Sequence, residues 1–159
     1  MSFPFVIEER ASVDAGIEGI FQRAFHSPPP PFPRHFVGIH SGEARRVCAY
    51  VHYTAFESGV YLLGGLCVDA SIYKDVSPEV RAAIATKGSL SRWVMEASIA
   101  ALGPTRAVFA YTGNVISRRD TEALGFHVVR APYLIVQWHA ELASVRAAMV
   151  ERVAKLGPF

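Results

Sequence analysis

Cysteine is scarce in this chain: Cys48 and Cys67 are the only two among 159 residues. No Cys-x-x-Cys pair exists, and none of the six histidines forms a His-x-x-x-His pair. The usual spacings of a zinc site are therefore missing, and no metal is expected. Two isolated thiols among apolar neighbours read as reduced core residues, which points to a reducing compartment such as the cytoplasm. Charge is also sparse, at 19% of residues and a net +2. Arg45-Arg46 and Arg118-Arg119 are pairs, not patches, so a nucleic-acid footprint is not expected. No apolar run reaches the length of a membrane span. Met1 to Ile7 lacks the basic start of a secretory signal, and Glu8-Glu9 follow at once. There is no Gly-x-Ser-x-Gly elbow, no Gly-x-Gly-x-x-Gly fingerprint and no internal repeat.

About half the residues are apolar, enough for one domain with a real core spanning residues 1–159. Phe3 to Glu8 is expected to be a strand. Ser12 or Asp14 would cap a helix carrying Ile17, Ile20, Phe21 and Ala24 on one face, ending near His26. The run Ser27-Pro28-Pro29-Pro30-Pro31-Phe32-Pro33 must be a stiff non-helical connector, because proline lacks the N–H and fixes φ. Strands follow over 35–40, 47–56 and 60–68, with turns at Ser41-Gly42-Glu43 and Glu57-Ser58-Gly59. In the strand over 47–56, alternation puts Cys48, Tyr50, His52, Thr54 and Phe56 on one face. The strand over 60–68 is apolar enough to be central. Gly64-Gly65 inside it predicts a bulge or a close approach.

Ser77-Pro78-Glu79 begins a short helix, with proline at its first position. Residues 88–102 form the best helix, with Leu90, Val94, Ala97 and Ala101 on one face and Trp93 beside them. A strand over 133–138 precedes an amphipathic C-terminal helix at about 140–157, striped by Leu142, Val145, Met149, Val153 and Leu156. Core packing accounts for that stripe. Strands and helices in this order predict an α+β (mixed α/β) domain.

The most informative stretch runs from Val108 to Phe126. A buried strand over 108–111 leads through Gly113-Asn114 into a helix over 115–124. Gly125 stops that helix as a left-handed cap, and Phe126 opens the next strand. Asn114 precedes Gly125-Phe126 by eleven residues. This cassette resembles the C-terminal motif of the GNAT superfamily, the acyl-CoA-dependent N-acyltransferases. The resemblance spans roughly Phe5 to Trp138. It implies a single GNAT-like domain, with a central, mostly antiparallel sheet and helices on both faces.

It also implies acetyl-CoA, or another acyl-CoA, as cosubstrate and a small-molecule or peptide amine as acceptor. No metal, nucleic acid or membrane would be needed, and a homodimer is compatible. Asn114 would help hold the pantetheine arm, and the backbone of Leu66, Cys67 and Val68 would pair with it. Lys87, Gly88 and Ser89 occupy the pyrophosphate-loop position, where a helix N-terminus and a glycine favour a phosphate. Two departures stand beside these matches. The family loop reads Gln/Arg-x-x-Gly-x-Gly/Ala, whereas this chain has Ala85 and Leu90 at its ends. The tyrosine that often protonates the leaving thiolate, seven residues after the asparagine, is Thr121 here. Tyr111 is a substitute acid in principle, although its position suits the core.

A general base must take a proton from the acceptor amine. His52 and Glu57 are the catalytic candidates, with Asp69 a third candidate on or beside the central strands. His52 has the most suitable intrinsic pKa. A half-buried structural histidine and a solvated turn glutamate are the plain alternatives for these two. The expected function is acetyl transfer to an amine. The alternative is a non-catalytic GNAT-fold domain that binds a ligand or a partner.

Overall fold

The computed structural model describes residues 3–31, 33–42, 45–130 and 132–159. Among them are seven strands and six helices, in the order β1 (Phe5–Arg10), α1 (Ala15–Phe25), β2 (Arg34–His40), β3 (Arg46–Glu57), β4 (Val60–Val68), α2 (Ile72–Asp75), α3 (Pro78–Thr86), α4 (Leu90–Ala101), β5 (Ala107–Tyr111), α5 (Val115–Ala123), β6 (His127–Arg130), β7 (Leu134–Trp138) and α6 (Ala143–Ala154). The strands hydrogen-bond in the order β1-β2-β3-β4-β5-β7-β6. β1–β2, β5–β7 and β6–β7 are antiparallel, while β4–β5 is parallel. The fold is therefore mixed α/β around a mostly antiparallel sheet.

The chain divides into two compact units. One comprises Met1–His52 with Gly65–Ala101, and the other Tyr53–Gly64 with Leu102–Phe159. In the first unit the Asp14 carboxylate accepts the Ile17 N–H at 3.0 Å, which starts α1. His26, left-handed at φ 55°, ends it. The apolar face of α1 supplies Ile17, Ile20 and Phe21 to a core with Val37, Ile39, Tyr50 and Cys67. Helix α4 packs against β1 and β2, and the Trp93 ring lies 5.9 Å from that of Phe5. Its buried residues are Leu90, Trp93, Val94, Met95, Ser98 and Ile99. The face is thus rotated from the expected one, and Ala101 is exposed. Large side chains claim the interior, and Ser98 enters it because its hydroxyl donates to the Val94 carbonyl at 2.6 Å.

In the second unit, β4 pairs with β5 from Val60↔Ala107 to Leu63↔Ala110, and β5 pairs with β7 from Ala107↔Trp138 to Tyr111↔Leu134. Val60, Leu62, Ala107, Phe109, Leu134 and Val136 form the core with Met149 and Val153 of α6. The expected stripe on α6 buries only Met149 and Val153: Val145 is 39% exposed, and Leu142 and Leu156 are more than half exposed. Both lie outside the helix, which ends at Ala143 and Ala154, so neither is carried round to the buried face.

Strand β4 matches its expected bounds, and the other shared elements shift by one to three residues. Helix α2 was not expected. It sits inside a connection that the sequence marks only as long, and its four residues are too few for a periodic signal. The proline run carries no regular element among its described residues, with Pro29 and Pro33 buried. Phe32 within it and Glu43 of the expected turn lie outside the described residues.

Candidate active site

In the first unit His52 is the central candidate. It stands on β3, 9% exposed, on the face it shares with Tyr50. Gly65 of β4 is left-handed at φ 59°, and a Cβ there would lie 2.5 Å from His52 Nδ1 and 2.7 Å from the Phe21 ring. Only glycine lets the imidazole approach the β4 backbone this closely. The double glycine thus marks both a close approach and an irregular backbone.

The His52 ring belongs to a buried chain of polar groups. His52 Nδ1 is 3.3 Å from Tyr50 Oη, which is 2.9 Å from His35 Nδ1 on β2. Burial, then repulsion from His35, pushes the His52 pKa down to about 4. Burial also lowers that of His35 and raises that of the Tyr50 phenol. All three groups are neutral at neutral pH. The shared face of Tyr50 and His52 follows from alternation in β3. His35 was not foreseen, because nothing in the sequence says which β2 residue meets Tyr50.

Leu66, Cys67 and Val68 close β4. Burial raises the Cys67 thiol to about 12, against a smaller opposing effect of Arg23. Cys48 is raised to about 12 by the same cause. Both are free, buried thiols, not thiolates. Asp69 follows. Its burial works to raise the pKa, but hydrogen bonds from Arg46 and Ser71 outweigh this and hold it at about 2. Asp69 receives Arg46 at 2.7 Å and Arg23 at 3.2 Å, so it is an ion-pair anchor and a poor base.

Lys87, Gly88 and Ser89 form the whole link between α3 and α4. The Lys87 N–H donates to the Ile84 carbonyl at 2.9 Å and the Gly88 N–H to that of Ala85 at 3.0 Å. Those two amides finish α3. Gly88 is left-handed at φ 83°, with Arg92 lying over it at 3.1 Å from where a Cβ would be. The Ser89 hydroxyl caps α4 by accepting the Arg92 N–H at 3.0 Å. The Leu90 N–H donates to the Tyr73 hydroxyl at 3.3 Å. Leu90 itself is fully buried, so its side chain serves the core.

In the second unit Asn114 caps α5. Its Oδ1 accepts the N–H groups of Ile116 at 2.8 Å and Ser117 at 3.2 Å. The residue is exposed, and its amide NH2 is the part not used in the cap. Thr121 is buried and donates its hydroxyl to the Arg118 carbonyl at 2.8 Å. Glu57 receives Arg106 at 3.3 Å and Arg152 at 2.5 Å. Neither arginine was singled out from the sequence, since both are far from Glu57 along the chain. Tyr111 packs edge-on against Phe159 and lines a cavity of about 480 Å³ with Tyr133, Arg130 and Lys155.

No family model matches the sequence, and no curated protein matches it significantly. Solved structures do match. The Campylobacter jejuni N-acetyltransferase PseH is 10% identical, covering 86% of this chain and 99% of its own, with TM-score 0.55. The Escherichia coli GNAT family N-acetyltransferase YhbS, solved in complex with CoA, is 15% identical, covering 87% and 83%, with TM-score 0.54. A GNAT-family acetyltransferase from Streptococcus pneumoniae is 10% identical, covering 85% and 99%, with TM-score 0.55. The chain has the GNAT fold.

Within the GNAT fold, the cassette around Asn114 is a strand, an asparagine-capped helix and a further strand, the order the sequence predicted. The residue at the usual tyrosine position is a buried threonine whose proton is already committed to its own helix. Among the described residues, no helix is long and apolar enough to cross a membrane.

Proposed function

We propose that this chain is an acyl-CoA-dependent N-acyltransferase that transfers acetyl to a small-molecule or peptide amine, with His52 as the base. The observation that carries the proposal is the imidazole of His52 seated against left-handed Gly65 in β4. By resemblance to the GNAT enzymes, that part of β4 is where the pantetheine arm would pair. Acetyl-CoA would supply an activated thioester, and the likeness to CoA-bound YhbS supports this choice of cosubstrate. Asn114 fits as a holder, because its capping oxygen fixes the side chain while leaving amide N–H groups to donate. Lys87, Arg92 and Ser89 fit a phosphate through side chains, since the Lys87 and Gly88 amides are engaged in α3. Leu66, Cys67 and Val68 would contribute backbone groups.

The size of the His52 shift limits its role. An alkylammonium titrates near the lysine value, about six units above His52, so stripping its proton beforehand would cost about 8 kcal/mol. His52 must instead take the proton as the nitrogen bonds to the acyl carbon, when that nitrogen has become a far stronger acid. Glu57 is held by two arginines and is the weaker catalytic candidate. Thr121 is not the acid, so the thiolate leaves with a proton from water or unaided.

The other reading is a non-catalytic binding domain of the same fold, favoured by the engaged amides at Lys87 and Gly88. Thermal unfolding with acetyl-CoA separates binding from no binding, since a ligand of the native state raises Tm. Lys87→Glu should reduce that rise by repelling a phosphate. Turnover with a panel of primary amines then separates enzyme from binder. No Tm rise at millimolar acetyl-CoA refutes the acyltransferase reading. A rise without turnover favours the binding domain.

A further inference from the structure

We propose that the cavity at the ends of β5, β6 and α6 binds a small organic carboxylate with a flat apolar body. The site lies wholly in the second unit and does not rest on His52 as a base. Strand register sets its walls. Tyr111 at the end of β5 pairs with Leu134 of β7, and Leu134 pairs in turn with Arg130 of β6. The second pairing depends on an irregularity between Val128 and Arg130, because an unbroken ladder from Val128↔Ile135 would put Val129 opposite Leu134. The extra residue re-aims the Arg130 side chain. Three neighbouring strands thus set a phenol, an isobutyl group and a guanidinium in one row. Glu151 of α6, Lys155 just beyond it and Tyr133 just before β7 complete the cavity of about 480 Å³. That volume suits a small molecule.

The lining chemistry selects the ligand. Leu134 is 1% exposed and belongs to the core, so the floor is apolar. The rings of Tyr111 and Tyr133 add flat apolar walls. Among the described residues, the hydroxyls of Tyr111 and Tyr133 and the ammonium of Lys155 have no hydrogen-bond or ion-pair partner. Arg130 gives an N–H to Glu151 at 2.8 Å and keeps its others. Glu151 is the only carboxylate among the described lining residues, and Arg130 already matches it. Two cations against one anion leave one positive charge in excess. A carboxylate can accept from several of these donors at once, whereas an ammonium ligand would meet Lys155 with only a shared Glu151 to hold it.

The negative end of α6 works against an anion. It amounts to about half a charge, and its last carbonyls are engaged: the N–H groups of Lys155, Leu156 and Gly157 donate to those of Glu151, Val153 and Ala154. The full charge of Lys155, carried on a flexible four-carbon stem, outweighs it. One monoanion with a ring-sized body therefore neutralises the site and covers the apolar floor. The cavity also adjoins the asparagine turn. A Cβ on Gly113 would lie 3.5 Å from the Tyr133 ring, and Asn114 is the next residue, although it does not itself line the cavity.

Phenylacetate is the probe, with phenylacetamide and phenethylamine as its neutral and cationic counterparts. NMR of the tyrosine rings in the intact protein follows each titration, with signals assigned through Tyr111→Phe and Tyr133→Phe. Phenylacetate should shift both rings with a Kd of about millimolar, as expected for so small a ligand in an open cavity. The amide should bind about tenfold more weakly, and the amine more weakly still. Lys155→Met should weaken phenylacetate about three- to tenfold, a range that allows for solvent screening. Glu151→Gln should tighten it by removing the opposing charge, and loss of either hydroxyl should weaken it about two- to fivefold. No shift of either ring at about 20 mM phenylacetate overturns the proposal. So does tighter binding of the amine, or a Lys155→Met variant that binds phenylacetate as well as wild type. Excess acetyl-CoA should leave phenylacetate in place; displacement would make the cavity part of the cosubstrate site and overturn it as a separate one. The titrations need no turnover, so their failure leaves the acyltransferase reading standing, and the loss of that reading leaves this site intact.

Discussion

Replacing Gly65 with alanine tests the geometry on which the candidate site depends. Two penalties are expected, and each can be sized. The backbone at Gly65 has φ 59°, and a left-handed alanine costs about 1–2 kcal/mol. The new methyl would also stand 2.5 Å from His52 Nδ1, 2.6 Å from its Cε1 and 2.7 Å from the Phe21 ring. All three neighbours belong to packed side chains, and overpacking of this kind costs about 1–3 kcal/mol. Together they predict a loss of about 2–5 kcal/mol. For a chain of this length that is roughly 5–15 °C in Tm. Gly103→Ala is the internal control. Its φ is 89° and nothing lies within 4 Å of its would-be Cβ, so it carries the backbone penalty alone. Denaturant unfolding of the two variants gives the packing contribution by difference. If Gly65→Ala is no more destabilised than Gly103→Ala, the His52 ring does not press on β4 and the site as described is wrong.

Asn114→Asp should preserve the cap of α5, because a carboxylate accepts the Ile116 and Ser117 N–H groups as well as an amide does. It removes the NH2 donors, so acetyl-CoA affinity should fall while Tm is unchanged, whereas Asn114→Ala should also lose about 1 kcal/mol of stability. Burial holds His52 below its unfolded value, so its neutral form contributes stability that is complete above pH 6.5 and is lost as pH falls toward about 4. Asp69 is also lowered, to about 2, so its contribution is present above its ordinary 3.8 and disappears between there and about 2. Urea titrations across pH should show both windows, and His52→Gln should shrink only the upper one, leaving the share that His35 and His139, also lowered by burial, contribute there. Arg106→Ala strips a guanidinium that holds Glu57, the Ser58 carbonyl and the buried carboxylate of Glu141. Because Arg106 is itself 39% exposed, the expected loss is discounted to about 1–3 kcal/mol by denaturant unfolding. A neutral result would mean that water replaces it at Glu141.

Local patterns made much of the fold legible. Strand β4 could be bounded from its apolar run, α1 from its Asp14 cap, and the Asn114 cassette from a turn, a helix and a glycine stop. These are short-range signals, written in neighbouring residues by hydrogen-bond satisfaction and side-chain periodicity. The pairing of Tyr50 with His52 on one face of β3 belongs with them, because alternation alone produces it. What lay beyond the sequence depends on partners distant in the chain. His35 meets Tyr50 only through the placement of β2 beside β3. Arg106 and Arg152 reach Glu57 across 49 and 95 residues. The N–H groups of Lys87 and Gly88 could have faced outward or closed α3, and three-dimensional hydrogen bonding decided for α3. Burial likewise turned His52 from an ordinary imidazole into one titrating near 4. A side chain's identity sets what chemistry it can perform. Its pKa, tautomer and neighbours are set by desolvation and by contacts that exist only once the strands have paired.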